Sequence, residues 1–150
     1  MTTLAEAFRR SSGRKTKWQG QVVHSIFQLD VKSGDTIQVR RVSTSSLRAQ
    51  ALKVGADKGE LRANGVLTPV AAIWTHTAPK VATLEVVGRK TRTLELWNSW
   101  SYDGVDSSWI GGAGMRVESD GNAHTLLCSD GVGEPNFEDL VVEVTVLRDD

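Results

Sequence analysis

The chain has 150 residues, of which 39% are apolar and 24% charged, and its formal net charge is zero. These proportions are those of one globular domain large enough to bury a core. No apolar run is long enough to span a bilayer, and the N-terminus has no apolar core of a secretory signal. Membrane insertion is therefore not expected, and the chain is expected to be cytoplasmic or exported without a classical signal peptide. The one cysteine, Cys128, excludes an intrachain disulfide and a cysteine-based zinc site.

The zero net charge conceals an asymmetry. Residues 1–94 carry 16 Lys/Arg and 6 Asp/Glu, a net of +10; residues 95–150 carry 2 and 12, a net of −10. Interleaved strands would mix the halves in space. Segregated halves would favour head-to-tail self-association through complementary fields.

Residues 1–17 read as a basic arm, in which Arg9, Arg10, Arg14, Lys15 and Lys17 oppose only Glu6. Leu4, Ala5 and Phe8 form one amphipathic turn, which Ser11-Ser12-Gly13 stops. The plain reading is a mobile tail. The sharper readings are an arm that touches a neighbouring subunit or a phosphate-rich polymer.

Residues 18–150 read as a single β domain. Phe27, Leu29 and Val31 alternate with Gln28 and Asp30, and Lys32-Ser33-Gly34-Asp35 is a turn signal. Ile37 and Val39 alternate with Gln38 and Arg40. Further strands are expected near 47–54, 59–64, 69–76, 81–87, 91–100, 113–118, 123–128 and 138–147. In the last of these, Leu140, Val142, Val144 and Val146 oppose Glu143 and Thr145. Short strands at this spacing, between Gly, Asn, Asp and Ser turns, predict an all-β antiparallel β-sandwich, jelly-roll-like.

The segment from Trp97 to Trp109 holds three of the five tryptophans and the one tyrosine, mixed with Asp, Asn and Ser. Sugar recognition needs this mixture: an aromatic face covers the apolar face of a pyranose, and carboxylates or amides bond its hydroxyls. Trp97 and Trp100 lie three apart, on opposite strand faces, so core packing claims at least one of them, with Trp100 the stronger core candidate. Trp109 sits in a loop and is the better candidate for exposure. The candidate ligand-binding residues are Trp97, Tyr102, Asp103, Asp106, Trp109 and Asn136.

Ile110-Gly-Gly-Ala-Gly114 lacks the Lys-Ser/Thr ending of a phosphate loop and reads as a bulge or tight bend. His124 and Cys128 share a strand face but lie roughly 13 Å apart at about 3.3 Å per residue, too far for direct proton transfer. A buried, inert Cys128 is the expected state. The sequence has no nucleophile elbow or metalloprotease helix, and an enzyme is not expected. Arg40-Arg41 and Arg89-Lys90-Thr-Arg92 are scattered positives beside an acidic second half, which argues against nucleic acid as a partner.

The stretch from Cys128 to Leu147 is an acidic, Gly-rich loop that runs into the last strand. Asp130, Glu134, Glu138, Asp139 and the amide Asn136 fall within ten residues. Oxygen ligands so placed suit Ca²⁺. Without metal, Asp130 and Asn136 could instead bond backbone amides in Asx turns.

Ser129-Asp130-Gly131 through Asn136-Phe137-Glu138-Asp139-Leu140-Val141-Val142 resembles the end of the small bacterial calcium-dependent lectins that bind fucose and mannose. Asp130-Gly131 matches the family's Asp-Gly, Phe137 its aromatic, and Asp139 the Asp before its final strand. Asn136 stands where the family has an acidic ligand, and Glu138 replaces its Asn. Gly133 stands near an expected Asp, and the loop is one residue longer. The family's C-terminal glycine has no counterpart, since the chain runs on from Leu147 to Asp150.

The resemblance implies calcium held by Asp130, Asn136, Glu138 and Asp139, with a glycan completing the coordination. The expected function is a lectin-like carbohydrate-binding module, calcium-assisted and homo-oligomeric. The alternative is a self-assembling structural sandwich without a small ligand.

Overall fold

The computed structural model describes residues 3–11 and 13–148. The described residues form one short helix, α1 (Leu4–Arg10), and fourteen strands. In chain order these are β1 (Lys15–Trp18), β2 (Gln21–His24), β3 (Phe27–Asp30), β4 (Thr36–Ser43), β5 (Gln50–Ala56), β6 (Glu60–Ala63) and β7 (Val66–Thr68). There follow β8 (Val70–Trp74), β9 (Val81–Val87), β10 (Thr93–Tyr102), β11 (Val105–Ser107), β12 (Gly114–Asp120), β13 (Ala123–Ser129) and β14 (Leu140–Leu147). No helix among the described residues is long and apolar enough to cross a membrane.

The strands form an antiparallel two-sheet sandwich, as the alternating pattern predicts. The larger sheet runs β1-β2-β12-β13-β14-β4-β9-β6-β7. The smaller runs β11-β10-β5-β8, and β3 also pairs with β10. These strand orders describe the all-β antiparallel sandwich.

The core follows from strand alternation, because residues two apart share a face. On β14, Leu140, Val142, Val144 and Val146 are buried and meet Ile37 and Val39 of β4 from the same sheet. From the smaller sheet, Leu52, Val54, Leu94 and Leu96 face them. Each fully buried aliphatic side chain contributes about 1.5–3 kcal/mol.

The N-terminal segment does not form the mobile tail expected of it, across its described residues. Thr3 caps α1, its hydroxyl accepting the Glu6 N–H at 3.2 Å, and Glu6 stands at the third helical position as a capping box requires. Leu4 and Phe8, four apart on one face, are buried against Val23, with Trp18 and Phe137 alongside. The helix holds to the body through the Ala5 N–H, which donates to the Gly111 carbonyl at 2.9 Å. The β domain begins at Lys15, inside the expected arm. Ser12 and residues 1 and 2 of that arm lie outside the described residues.

The two charge halves interleave. Basic β4 lies beside acidic β14, and β5 beside β10. Arg14–Glu95, Arg40–Glu143, Arg48–Asp130, Lys53–Asp106 and Arg148–Asp35 all join one half to the other. This mixing in space removes the basis for a head-to-tail dipole.

Candidate functional site

The acidic loop after β13 is a hydrogen-bonded knot. Asp130 is 1% exposed, and its Oδ2 accepts from Arg48 Nε at 2.9 Å and Gln50 Nε2 at 3.0 Å. Its Oδ1 accepts the Val132 N–H at 3.0 Å, which closes an Asx turn. Asp139, also buried, accepts the Asp130 N–H on Oδ2 at 2.9 Å and Asn136 Nδ2 on Oδ1 at 3.2 Å. Asn136 Oδ1 in turn accepts the Glu138 N–H at 2.9 Å, a second Asx turn. The bond to Asp130 raises the Arg48 pKa further above its already high value.

These residues do not fit the calcium that the resemblance implies. All four carboxylate oxygens of Asp130 and Asp139 already accept hydrogen bonds, and the Arg48 guanidinium supplies the cation. Asn136 and Glu138 are exposed, and Asn136 is tied to Asp139. No group of three His, Cys, Asp or Glu among the described residues could hold a metal ion.

The acidic loop and the Trp-rich segment do meet, back to back. Trp100 is 1% exposed on the inner face of β10, and its ring lies where a Cβ on Gly131 would come within 2.5 Å. That Cβ would also stand 2.4 Å from the Ile110 carbonyl oxygen, so the bend at 110–114 and the acidic loop pack backbone to backbone. Beside them, Asn98 Nδ2 donates to the Ser129 carbonyl at 2.8 Å.

The opposite face of β10 carries the half-buried Trp97, on which the exposed Trp109 of the following loop packs. Trp97 points away from Trp100, as an odd spacing along a strand requires. Its ring lies across Gly55 of β5, where a Cβ would stand 3.4 Å from it. Trp109 packs on Trp97 with ring centroids 5.2 Å apart and planes inclined at 31°. The Trp109 backbone has φ 60°, and its Nε1–H donates to the Ser25 carbonyl at 3.0 Å. The Trp109 ring is thus fixed at both ends yet the residue stays 48% exposed. Trp109 also lines a 260 Å³ pocket together with Phe8, Arg9 and Ile26.

Lys53, opposite Trp97 in the β5–β10 register, forms an ion pair with Asp106 of β11. Trp97, Trp109 and Asp106 therefore share one surface. Tyr102 is exposed at the end of the β10–β11 hairpin, and Asp103 forms its turn with φ 52°. Asn136 belongs to the acidic knot. Sequence reasoning missed Lys53, Gly55 and Ser25, which reach this surface only through strand register and loop packing.

The histidines and the cysteine form no nucleophilic pair. Cys128 is buried, and desolvation pushes its thiol pKa well up. His124 Nδ1 lies 2.7 Å from Ser119 Oγ. Phe27 stands between His24 and His124, at 5.4 Å from each ring. Burial lowers the pKa of both histidines, with Lys15 adding to the effect at His24.

No protein-family model, curated protein or solved structure matches the chain.

Proposed function

We propose that the chain is a carbohydrate-binding module that receives a sugar ring on the Trp97–Trp109 platform, without calcium. The observation that carries this reading is the half-exposed Trp109 ring, stacked on Trp97 and pinned through its indole N–H. A rigid indole on a sheet face costs little entropy to engage, and its apolar face suits the C–H face of a pyranose. The Lys53–Asp106 pair beside it offers donors and acceptors to ring hydroxyls. The pocket that Trp109 lines has room for a substituent of the same ring.

A glycan array probed in EDTA tests this reading. The wild-type chain should bind a defined set of glycans, and Trp109→Ala should lose that set. A blank array for the wild type, or an identical pattern for Trp109→Ala, would overturn it.

A further inference from the structure

The larger sheet ends in β1 and β7; the smaller ends in β8 on one side and in β3 and β11 on the other. A sheet edge exposes unpaired backbone groups, and proteins blunt such edges with charge. Here β1 carries Lys15 and Lys17, β3 carries Asp30 and β11 carries Asp106. Strands β7 and β8 carry no charge, and residues 63–79 contain no Asp, Glu, Lys or Arg.

The open side of β8 follows from its bonds to β5. The Ala56 N–H donates to the Pro69 carbonyl at 3.0 Å, and the Thr75 N–H to the Gln50 carbonyl at 2.8 Å. By alternation, the amides of Ala71 and Ile73 face β5, and those of Val70, Ala72 and Trp74 face outward. Two outward carbonyls have local donors: Thr68 Oγ1 bonds Val70 at 2.8 Å, and the Ala78 N–H bonds Trp74 at 2.9 Å. Ala72, at the centre, presents both its N–H and its carbonyl to the open side.

The surroundings are apolar. Val70 is 43% exposed, Val66 64% and Val81 42%. They line one cleft of 550 Å³ with Ile73 and Pro79, between the β7 and β8 edges.

We propose that a second copy of this chain pairs along this edge, β8 to β8, antiparallel about a two-fold axis at Ala72. Such an axis sets Ala72 against Ala72 and Val70 against Trp74 of the partner subunit. Self-pairing about a two-fold brings identical residues together, so a charge near the axis meets its own sign at a cost. Of the strands that end the sheets, only β7 and β8 escape that cost, and β7 has just three residues. Alanine at the axis sets no charge against itself, and a β-branched residue opposite an aromatic one is a favourable cross-strand pair. A peptide of different sequence would not need the strand to be compatible with itself.

Sedimentation velocity on the full chain, up to about 100 µM, tests the pairing together with two variants. Ala72 is exposed, so Ala72→Lys and Ala72→Asp leave the monomer's core intact. The wild type should dimerise as strongly in high salt as in low, since no charge pair joins the copies. Each variant alone should show at least about a tenfold weaker dimer with an unchanged circular dichroism spectrum. An equimolar mixture of the two variants should dimerise again, because the introduced ammonium and the introduced carboxylate would then face each other across the axis. A wild type that stays monomeric, a single variant that dimerises like the wild type, or a mixture that stays monomeric would overturn the proposal.

Discussion

The Asp139 carboxylate accepts the backbone N–H of Asp130 at 2.9 Å. One acidic residue thus fixes the backbone of another, whose own carboxylate is bound by Arg48 and Gln50 from distant parts of the chain. The clustered carboxylates act as structural acceptors, and this sets what the loop does when perturbed.

Asp139→Ala leaves the buried Asp130 N–H without its acceptor and frees Asn136. It should cost about 1–3 kcal/mol of stability, the usual penalty for a buried group left unbonded. For the wild type, millimolar Ca²⁺ should leave the melting temperature where EDTA leaves it, because a ligand that does not bind the folded state cannot stabilise it. Thermal melts of both proteins check the pair of outcomes. A Ca²⁺-dependent rise would restore the cation reading of the loop.

Gly131→Ala places a Cβ 2.4 Å from the Ile110 carbonyl oxygen and 2.5 Å from the Trp100 ring. The first obstacle is backbone and the second a buried ring, so neither yields freely. Overpacking of this kind should cost about 1–3 kcal/mol. Urea unfolding should show a lower midpoint with an unchanged slope.

Stability should fall in mild acid. The pKa of both His24 and His124 is lowered from 6.5 by burial, with Lys15 adding to the effect at His24. In the window below 6.5 the unfolded chain binds protons at these sites before the folded chain does. Unfolding therefore takes up protons there, and stability drops as pH falls through that window. Above it both states are neutral and these residues add no slope. Denaturant midpoints across this range should show the drop, and the double variant His24→Gln with His124→Gln should flatten it.

The strands are legible in the sequence where a half-buried sheet imposes period two. Leu140, Val142, Val144 and Val146 announce β14, and the spacing of Trp97 and Trp100 places them on opposite faces of β10. The short strands β1, β2, β7 and β11 do not stand out, since three or four residues hold too few alternations. The docking of α1 depends on Val23 and Phe137, contacts that lie far along the chain. In the acidic loop the Asx turns are readable locally. The partner that decides its chemistry, Arg48, stands 82 residues from Asp130, and no local pattern reveals it. The pairing of Lys53 with Asp106 has the same origin in strand register.

The most direct test of the account is calorimetric titration of wild type and Trp109→Ala, in EDTA, with the strongest glycan from the array. Trp109 is half exposed, so its removal should leave a single cooperative urea unfolding transition with an unchanged slope. Trp109→Ala should bind at least about tenfold more weakly, the scale of losing one aromatic anchor. Equal affinity in the two proteins, or wild-type binding that appears only when Ca²⁺ is added, would contradict it.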